Sequence, residues 1–138
     1  MKNKSLILAI IVISIIGLVL FFPNYSNIQL QTQNQTVESG NVHIVEIYSN
    51  GFVPQTLRIK VGDTVTFVNK DSSPHWPASD PHPTHTDYPE KGGCISSAFD
   101  TCRGLRQGES WNFTFKYKGT WNYHDHLNPS LRGTIIVE

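Results

Sequence analysis

From Val42 onward, apolar and polar residues alternate along short stretches of this chain, and that two-residue period commits the segment to β-structure. Val42-His43-Ile44-Val45-Glu46-Ile47-Tyr48, Leu57-Arg58-Ile59-Lys60-Val61 and Thr64-Val65-Thr66-Phe67-Val68-Asn69 all follow it. Successive side chains of a strand point to opposite faces, so each stretch has one face for water and one for a core. Asn50-Gly51 and Gly62-Asp63 supply turns between them. Pro54, which has no N–H to give, confines Phe52-Val53-Pro54 to an edge. The pattern returns at Ser110-Trp111-Asn112-Phe113-Thr114-Phe115, at Gly119-Thr120-Trp121-Asn122-Tyr123 and at Thr134-Ile135-Ile136-Val137. No helical repeat of useful length follows residue 22. Several short strands with turn signals between them, over about 100 residues, predict an all-β antiparallel sandwich.

Between the two groups of strands the alternation lapses. Residues 70–107 contain Pro74, Pro77, Pro81, Pro83, Pro89 and Gly92-Gly93, with no lasting period. So long a connection inside a compact domain is usually functional. Its histidines support that. His75, His82 and His85 lie in it, and His124 and His126 follow the later strand in Trp121-Asn122-Tyr123-His124-Asp125-His126, leaving only His43 outside the two runs. Neutral imidazole is the commonest protein ligand for copper and zinc, and two distant histidine runs converge only through folding. The expected partner is a metal ion.

The N-terminus carries a different signal. Lys2 and Lys4 precede an apolar run from Leu6 to Phe22, interrupted by Ser14 and Gly17. Its length of about 17 residues is at the lower edge of the roughly 17–25 that span a bilayer. It ends in Phe21-Phe22-Pro23-Asn24-Tyr25, without the small-x-small site of a cleaved signal. Residues 1–22 are therefore expected to be a transmembrane helix, an anchor or uncleaved signal. The lysines would stay inside and the remainder would face the extracytoplasmic side of the cell membrane; cleavage would release a secreted form. Residues 23–40, rich in Asn, Gln, Ser and Thr, read as a flexible polar tether. Residues 41–138 make one domain.

Formal net charge is zero and there is no basic run, which argues against a nucleic-acid partner. Cys94 and Cys102 are the only cysteines. In an exported domain a pair this close is expected to be a disulfide closing a loop; thiolate ligation of a metal is the rival reading.

Taken together, Phe52-x-Pro54, Leu57-x-Ile59-x-Val61-Gly62-Asp63-Thr64-Val65, Asn69 through His75, Gly119-Thr120-Trp121-x-Tyr123 and Arg132-Gly133-Thr134-Ile135-Ile136-Val137 resemble the cupredoxin (plastocyanin-like) family. The resemblance covers nearly all of 42–138 except the long loop. It implies a Greek-key antiparallel β-sandwich with copper at one end, held by a histidine from mid-chain and by Cys, His and Met from the last loop. His75 matches the first histidine. Alignment through Tyr123 and Arg132-Gly133 puts Asp125 at the thiolate position, Asn128 at the second histidine and Leu131 at the methionine. The only methionine is Met1. Blue-copper character depends on a copper–thiolate bond, so a blue electron-carrier site is not expected. Pro74-His75-Trp76 with Tyr123-His124-Asp125-His126 looks instead like the first domain of multicopper oxidases, whose coppers there lack thiolate. Pro77 stands where the second histidine of the first of those motifs belongs.

The candidate metal ligands are therefore His75, His124, His126, Asp125, His85 and His82. Strand alternation turns Trp121, Tyr123 and Asp125 one way and Asn122, His124 and His126 the other. That aims Asp125 at His75 and leaves His124 and His126 for a second position or a partner subunit; bending at the strand end could instead bring His126 to His75. Asp125 could ligate metal or orient a histidine. His82 and His85, stiffened by prolines, could form a lid over the site or sit in a solvated loop. His43 is expected to face water, and Asp80 and Asp87 to be solvent or turn residues. Imidazoles with a carboxylate suit Cu(II) first and Zn(II) second. The expected function is copper handling or delivery through a non-blue site. The alternative is an electron-transfer or small-molecule redox module with a redox partner or a second copy of the chain. No catalytic acid or base separate from the ligands is apparent.

Overall fold

The computed structural model describes residues 40–138; the expected anchor and nearly all of the tether lie outside the described residues. Eight strands occur among the described residues: β1 Val42–Tyr48, β2 Gly51–Val53, β3 Thr56–Ile59, β4 Thr64–Asn69, β5 Pro77–Ser79, β6 Ser110–Thr114, β7 Gly119–Asp125 and β8 Asn128–Val137. Among these residues no helix is long and apolar enough to cross a membrane.

The strands form two four-stranded sheets, β2-β1-β4-β6 and β3-β8-β7-β5. The expected sandwich is present, but it is not wholly antiparallel. β1 runs parallel to β4, with Val45 opposite Phe67, and β3 runs parallel to β8, with Leu57 opposite Ile135. The hairpin β1–β2 ends at Val53 and the chain then enters the other sheet at β3. It returns to the first sheet at β4, so each of these strands meets a neighbour distant in sequence rather than a hairpin partner.

Alternation decides what lies between the sheets. β4 sends Val65, Phe67 and Asn69 inward, β1 contributes Val45 and Ile47, β8 Ile135 and Val137, and β7 Tyr123, all of them buried. The long connection 70–109 adds to this core rather than lying over it. Its Tyr88, Phe99 and Leu105 are buried in the same apolar cluster. The Phe99 ring stacks on Phe113 at 5.0 Å and lies parallel to Trp111 at 5.9 Å. Each such side chain contributes about 1.5–3 kcal/mol by leaving water, enough to hold an aperiodic loop in one conformation. The backbone does the rest. Ser79 N–H donates to Phe99 O at 2.8 Å, and His75 and Leu105 exchange two hydrogen bonds at 3.1 and 2.7 Å. β5 adds to the sheet edge beside the last turn of β7, with Pro77 opposite Asp125. Both histidine runs thereby reach one end of the sandwich.

Candidate metal centre

His82, His85, His124 and His126 come together at that end, each offering a ring nitrogen within 4.8 Å of the others. The loop does this by curling on itself. Thr84 and His85 N–H both donate to Pro81 O at 2.9 Å, and Asp87 N–H closes the turn on Asp80 O at 2.8 Å. Tyr88, whose N–H donates to Ser79 Oγ, then anchors the segment in the core. His85 has a φ of 50°, the left-handed region that costs a non-glycine residue roughly 1–3 kcal/mol. On the other side, a register shift between His124 and Asp125 re-aims the strand end, and His126 N–H is held by Trp76 O at 2.7 Å.

Hydrogen bonds set the tautomers. A carboxylate only accepts, so the ring nitrogen facing it carries the hydrogen and leaves the other nitrogen as a donor for metal. His124 Nδ1–H donates to Asp80 Oδ1 at 2.8 Å, and Arg132 holds Asp80 Oδ2 at 2.6 Å. His124 Nε2 is then a bare lone pair, fully buried and without a partner. His85 Nδ1–H donates to Asp100 Oδ2 at 2.8 Å, and its Nε2 faces His126 Nδ1 at 2.9 Å. The His126 ring lies 4.4 Å from the Trp76 ring, and Trp76 Nε1–H donates to Asp100 Oδ1 at 2.6 Å. His82, exposed, packs within 5.2 Å of the His124 ring and 4.8 Å of the His126 ring, on the solvent side.

The electrostatics favour neutral rings at His124 and His126. Burial holds His124 below the ordinary histidine range against the opposing pull of Asp80, and burial, then His85 and His82, hold His126 below it. Burial alone would raise Asp100, but hydrogen bonds from His85, the Cys102 N–H, Trp76 and Cys94 hold its carboxyl below the usual range. The result is four imidazoles, two of them backed by carboxylates. Nitrogens about 2.1 Å from a common ion are at most about 4.2 Å apart, so small side-chain movements close the cluster on a metal. The buried, partnerless His124 Nε2 is the atom that most needs one. An all-imidazole set suits copper or zinc rather than a hard cation.

His75 and Asp125 stand apart from this cluster. His75 Nδ1 is hydrogen-bonded to Asp125 Oδ2 at 2.7 Å and Nε2 to Asp71 Oδ2 at 3.1 Å, so both ring nitrogens are taken up by carboxyl groups. Asp125 Oδ1 accepts from Trp76 N–H at 2.8 Å and Leu127 N–H at 3.1 Å. Asp125 does point at His75 while His124 points away, as strand parity predicts. His126 bends toward His85, not His75.

Two other expectations are corrected. His43 does not simply face water: its Nε2 bonds Asp63 Oδ2 at 2.8 Å. Asp80 is no plain turn residue, since it positions His124. Sequence reading also missed Asp100, buried beneath His85; its only signal was an acidic residue in a loop already rich in histidine. Cys94 and Cys102 are free thiols in this structure, exposed and grouped with Asp100 within 4.8 Å.

The sandwich with a polar, imidazole-lined end defines a class of small all-β metal-binding proteins, and comparison with known proteins narrows it. No protein-family model matches the chain. Amicyanin from Paracoccus denitrificans is 27% identical over 95 residues, 69% of this chain and 64% of amicyanin, so the match spans less than two thirds of that relative. A reduced Cu(I) structure of an amicyanin variant, 26% identical, covers 70% of this chain and 82% of that one with a TM-score of 0.55. A purple cupredoxin from Nitrosopumilus maritimus, 23% identical, shares the fold over 70% of this chain and 99% of that one, with a TM-score of 0.57. In sequence and in fold the chain is similar to cupredoxins.

Proposed function

We propose that this cupredoxin-like protein binds copper through His82, His85, His124 and His126 and serves copper handling or delivery outside the cytoplasm. The observation that carries the reading is His124 Nε2, a buried lone pair with no partner, facing three other imidazoles while Asp80 and Arg132 fix its ring from behind. Copper is favoured over zinc by the usual affinity order for imidazole sites and by the amicyanin likeness, whose solved form carries Cu(I). The position that the family resemblance assigns to a thiolate holds Asp125, already paired with His75, so the site is of the non-blue kind. His82, on the solvent side, offers a route for the ion to enter and leave. Residues 1–22 would tether the domain to the cell membrane, or release it if cleaved. The test is titration of the full chain, its two cysteines first oxidised to a disulfide, with Cu(II), followed by electron paramagnetic resonance. One nitrogen-ligated Cu(II) per chain, lost in His124→Ala and retained in His75→Ala, is expected. Cu(II) lost in His75→Ala but kept in His124→Ala would overturn the ligand set.

A second reading, electron transfer with a redox partner, is favoured by the kinship with amicyanin and the purple cupredoxin. It needs a thiolate at copper. Cys94 and Cys102, beside Asp100, are the only candidates, and an intense visible charge-transfer band on copper addition would select it. If the two cysteines close a disulfide, as their spacing in an exported chain suggests, that band will be absent.

A further inference from the structure

The two thiols lie one carboxylate away from the histidine cluster. Asp100 Oδ2 accepts both from His85 Nδ1–H at 2.8 Å and from Cys94 Sγ–H at 3.4 Å. Its Oδ1 accepts from Cys102 N–H at 2.8 Å. Cys94, Cys102 and Asp100 form their own group within 4.8 Å, and both cysteines are exposed. His85 and Cys102, with φ of 50° and 59°, are the only non-glycine residues at positive φ among the described residues, and they stand at either side of Asp100. Strained backbone tends to collect at working sites. Gly93, φ 61°, lies so close that a Cβ there would meet the Asp100 Cβ at 2.9 Å. The loop is folded tightly around this carboxylate.

Metal binding at the histidines does not require these thiols, and a pair meant only for a structural disulfide has no need of a shared hydrogen-bond partner with a ligand. We propose that Cys94 and Cys102 are a dithiol that reduces Cu(II) delivered to the four-histidine site, closing to a disulfide as it does so. The inference rests on the ligand set proposed above. Two Cu(II) ions, taken up in succession, accept one electron each. The S–H bonds of Cys94 and Cys102 break, one S–S bond forms, and two protons pass to water: two Cu(II) and two thiols become two Cu(I), one disulfide and two H⁺. Burial first, then Cys102 and the Asp100 charge, push the Cys94 thiol up to about 12, so at neutral pH it is a thiol that must shed its proton with its electron. Its exposure lets that proton leave. The route from Cys94 Sγ to the His85 ring crosses two hydrogen bonds and one carboxylate, a short path for an electron. The protein would then release copper as Cu(I), and a thiol reductant would be needed to reset it.

The test uses the full chain, reduced and freed of reductant, under anaerobic conditions, with two equivalents of Cu(II) added. Expected are loss of the Cu(II) resonance, capture of the metal by the Cu(I) chelator bathocuproine disulfonate, and loss of two hydrogens from the protein mass. The Cys94→Ser/Cys102→Ser double variant should hold one Cu(II) with its resonance intact, and His124→Ala should oxidise its thiols far more slowly. Retention of Cu(II) with both thiols free in the unmodified chain, while the double variant binds normally, overturns the inference and leaves the copper site standing. Equal thiol oxidation in His124→Ala also overturns it, because the copper then reacts from solution. Failure of the double variant to bind Cu(II) through nitrogen removes the site reading, and the inference with it.

Discussion

Asp125 Oδ2 receives His75 Nδ1–H at 2.7 Å, at the place where the family resemblance puts a thiolate opposite a copper-ligating histidine. The pair is almost wholly buried, with side-chain exposures of 1% and 5%. A carboxylate in that position needs no metal to satisfy it: the imidazole takes one oxygen, and the Trp76 and Leu127 amides take the other. The buried contact has become part of the scaffold, and the histidine cluster lies on the opposite face of β7. The same strand serves both because its side chains alternate.

Removing one member of that pair should therefore cost stability and not copper. His75→Ala leaves the buried Asp125 Oδ2 without its imidazole, and stranding a buried polar group typically costs about 1–3 kcal/mol. Chemical denaturation of the metal-free protein should show a loss of that order. Copper stoichiometry, measured on the still-folded variant, should stay at one per chain. A variant of unchanged stability that binds no copper would return His75 to the ligand set.

The carboxylate behind His124 should matter to affinity without touching the ion. Asp80→Asn removes the charge that fixes the Nδ1–H tautomer and frees Arg132 from its partner. Loss of such an outer partner typically weakens metal binding by about 10–100-fold. A competition titration against a chelator of known affinity measures it. Affinity within twofold of the parent would mean that the tautomer is set elsewhere.

Much of this was legible in the sequence because alternation is a strong signal. It located the strands other than β5, which lies in the long connection, and it put Asp125 and His124 on opposite faces of β7. What alternation cannot carry is pairing between strands distant in the chain, so the parallel β1–β4 and β3–β8 contacts did not show. Nor could it reach the long connection. Tyr88 and Phe99 are core residues there, but no period marks them. The meeting of His82 and His85 with His124 and His126 depends on the curl onto Pro81 O, and the roles of Asp80 and Asp100 depend on that curl in turn. Loop carboxylates look alike in a sequence until folding chooses their partners.

Tyr123 and Gly133 give a packing test at the centre of the sandwich. They face each other across β7 and β8, and a Cβ on Gly133 would collide with the Tyr123 phenol. Gly133→Ala should thus cost about 1–3 kcal/mol through overpacking. The Tyr123 hydroxyl is buried without a partner, and burial pushes its phenol up. Tyr123→Phe deletes an unsatisfied polar group, so it should be neutral or stabilising by about 1 kcal/mol. It should also relieve part of the Gly133→Ala defect. Denaturation midpoints of the two single variants and the double variant decide the matter; strictly additive effects would show that the two positions do not share one space.

At the far end from the histidines, Asp63 ties the start of the domain to the turn before β4. It accepts from Lys60 N–H at 3.0 Å, Asn41 N–H at 2.8 Å and His43 Nε2 at 2.8 Å. The Lys60 amide above all, and then His43 and the Asn41 amide, outweigh burial and hold its carboxyl below the usual carboxylate range. A carboxyl whose folded value is depressed stabilises the fold above its unfolded value, near 3.8, and that contribution fades as pH falls through the folded value. The metal-free protein should accordingly lose stability steeply below about pH 4. Asp63→Asn should be less stable at neutral pH and show a shallower acid limb, because the amide keeps one acceptor but carries no charge to titrate. Urea midpoints between neutral pH and the acid limit give both slopes. Parallel curves for the two proteins would shift the acid sensitivity to Asp71, which the His75 hydrogen bond likewise holds low.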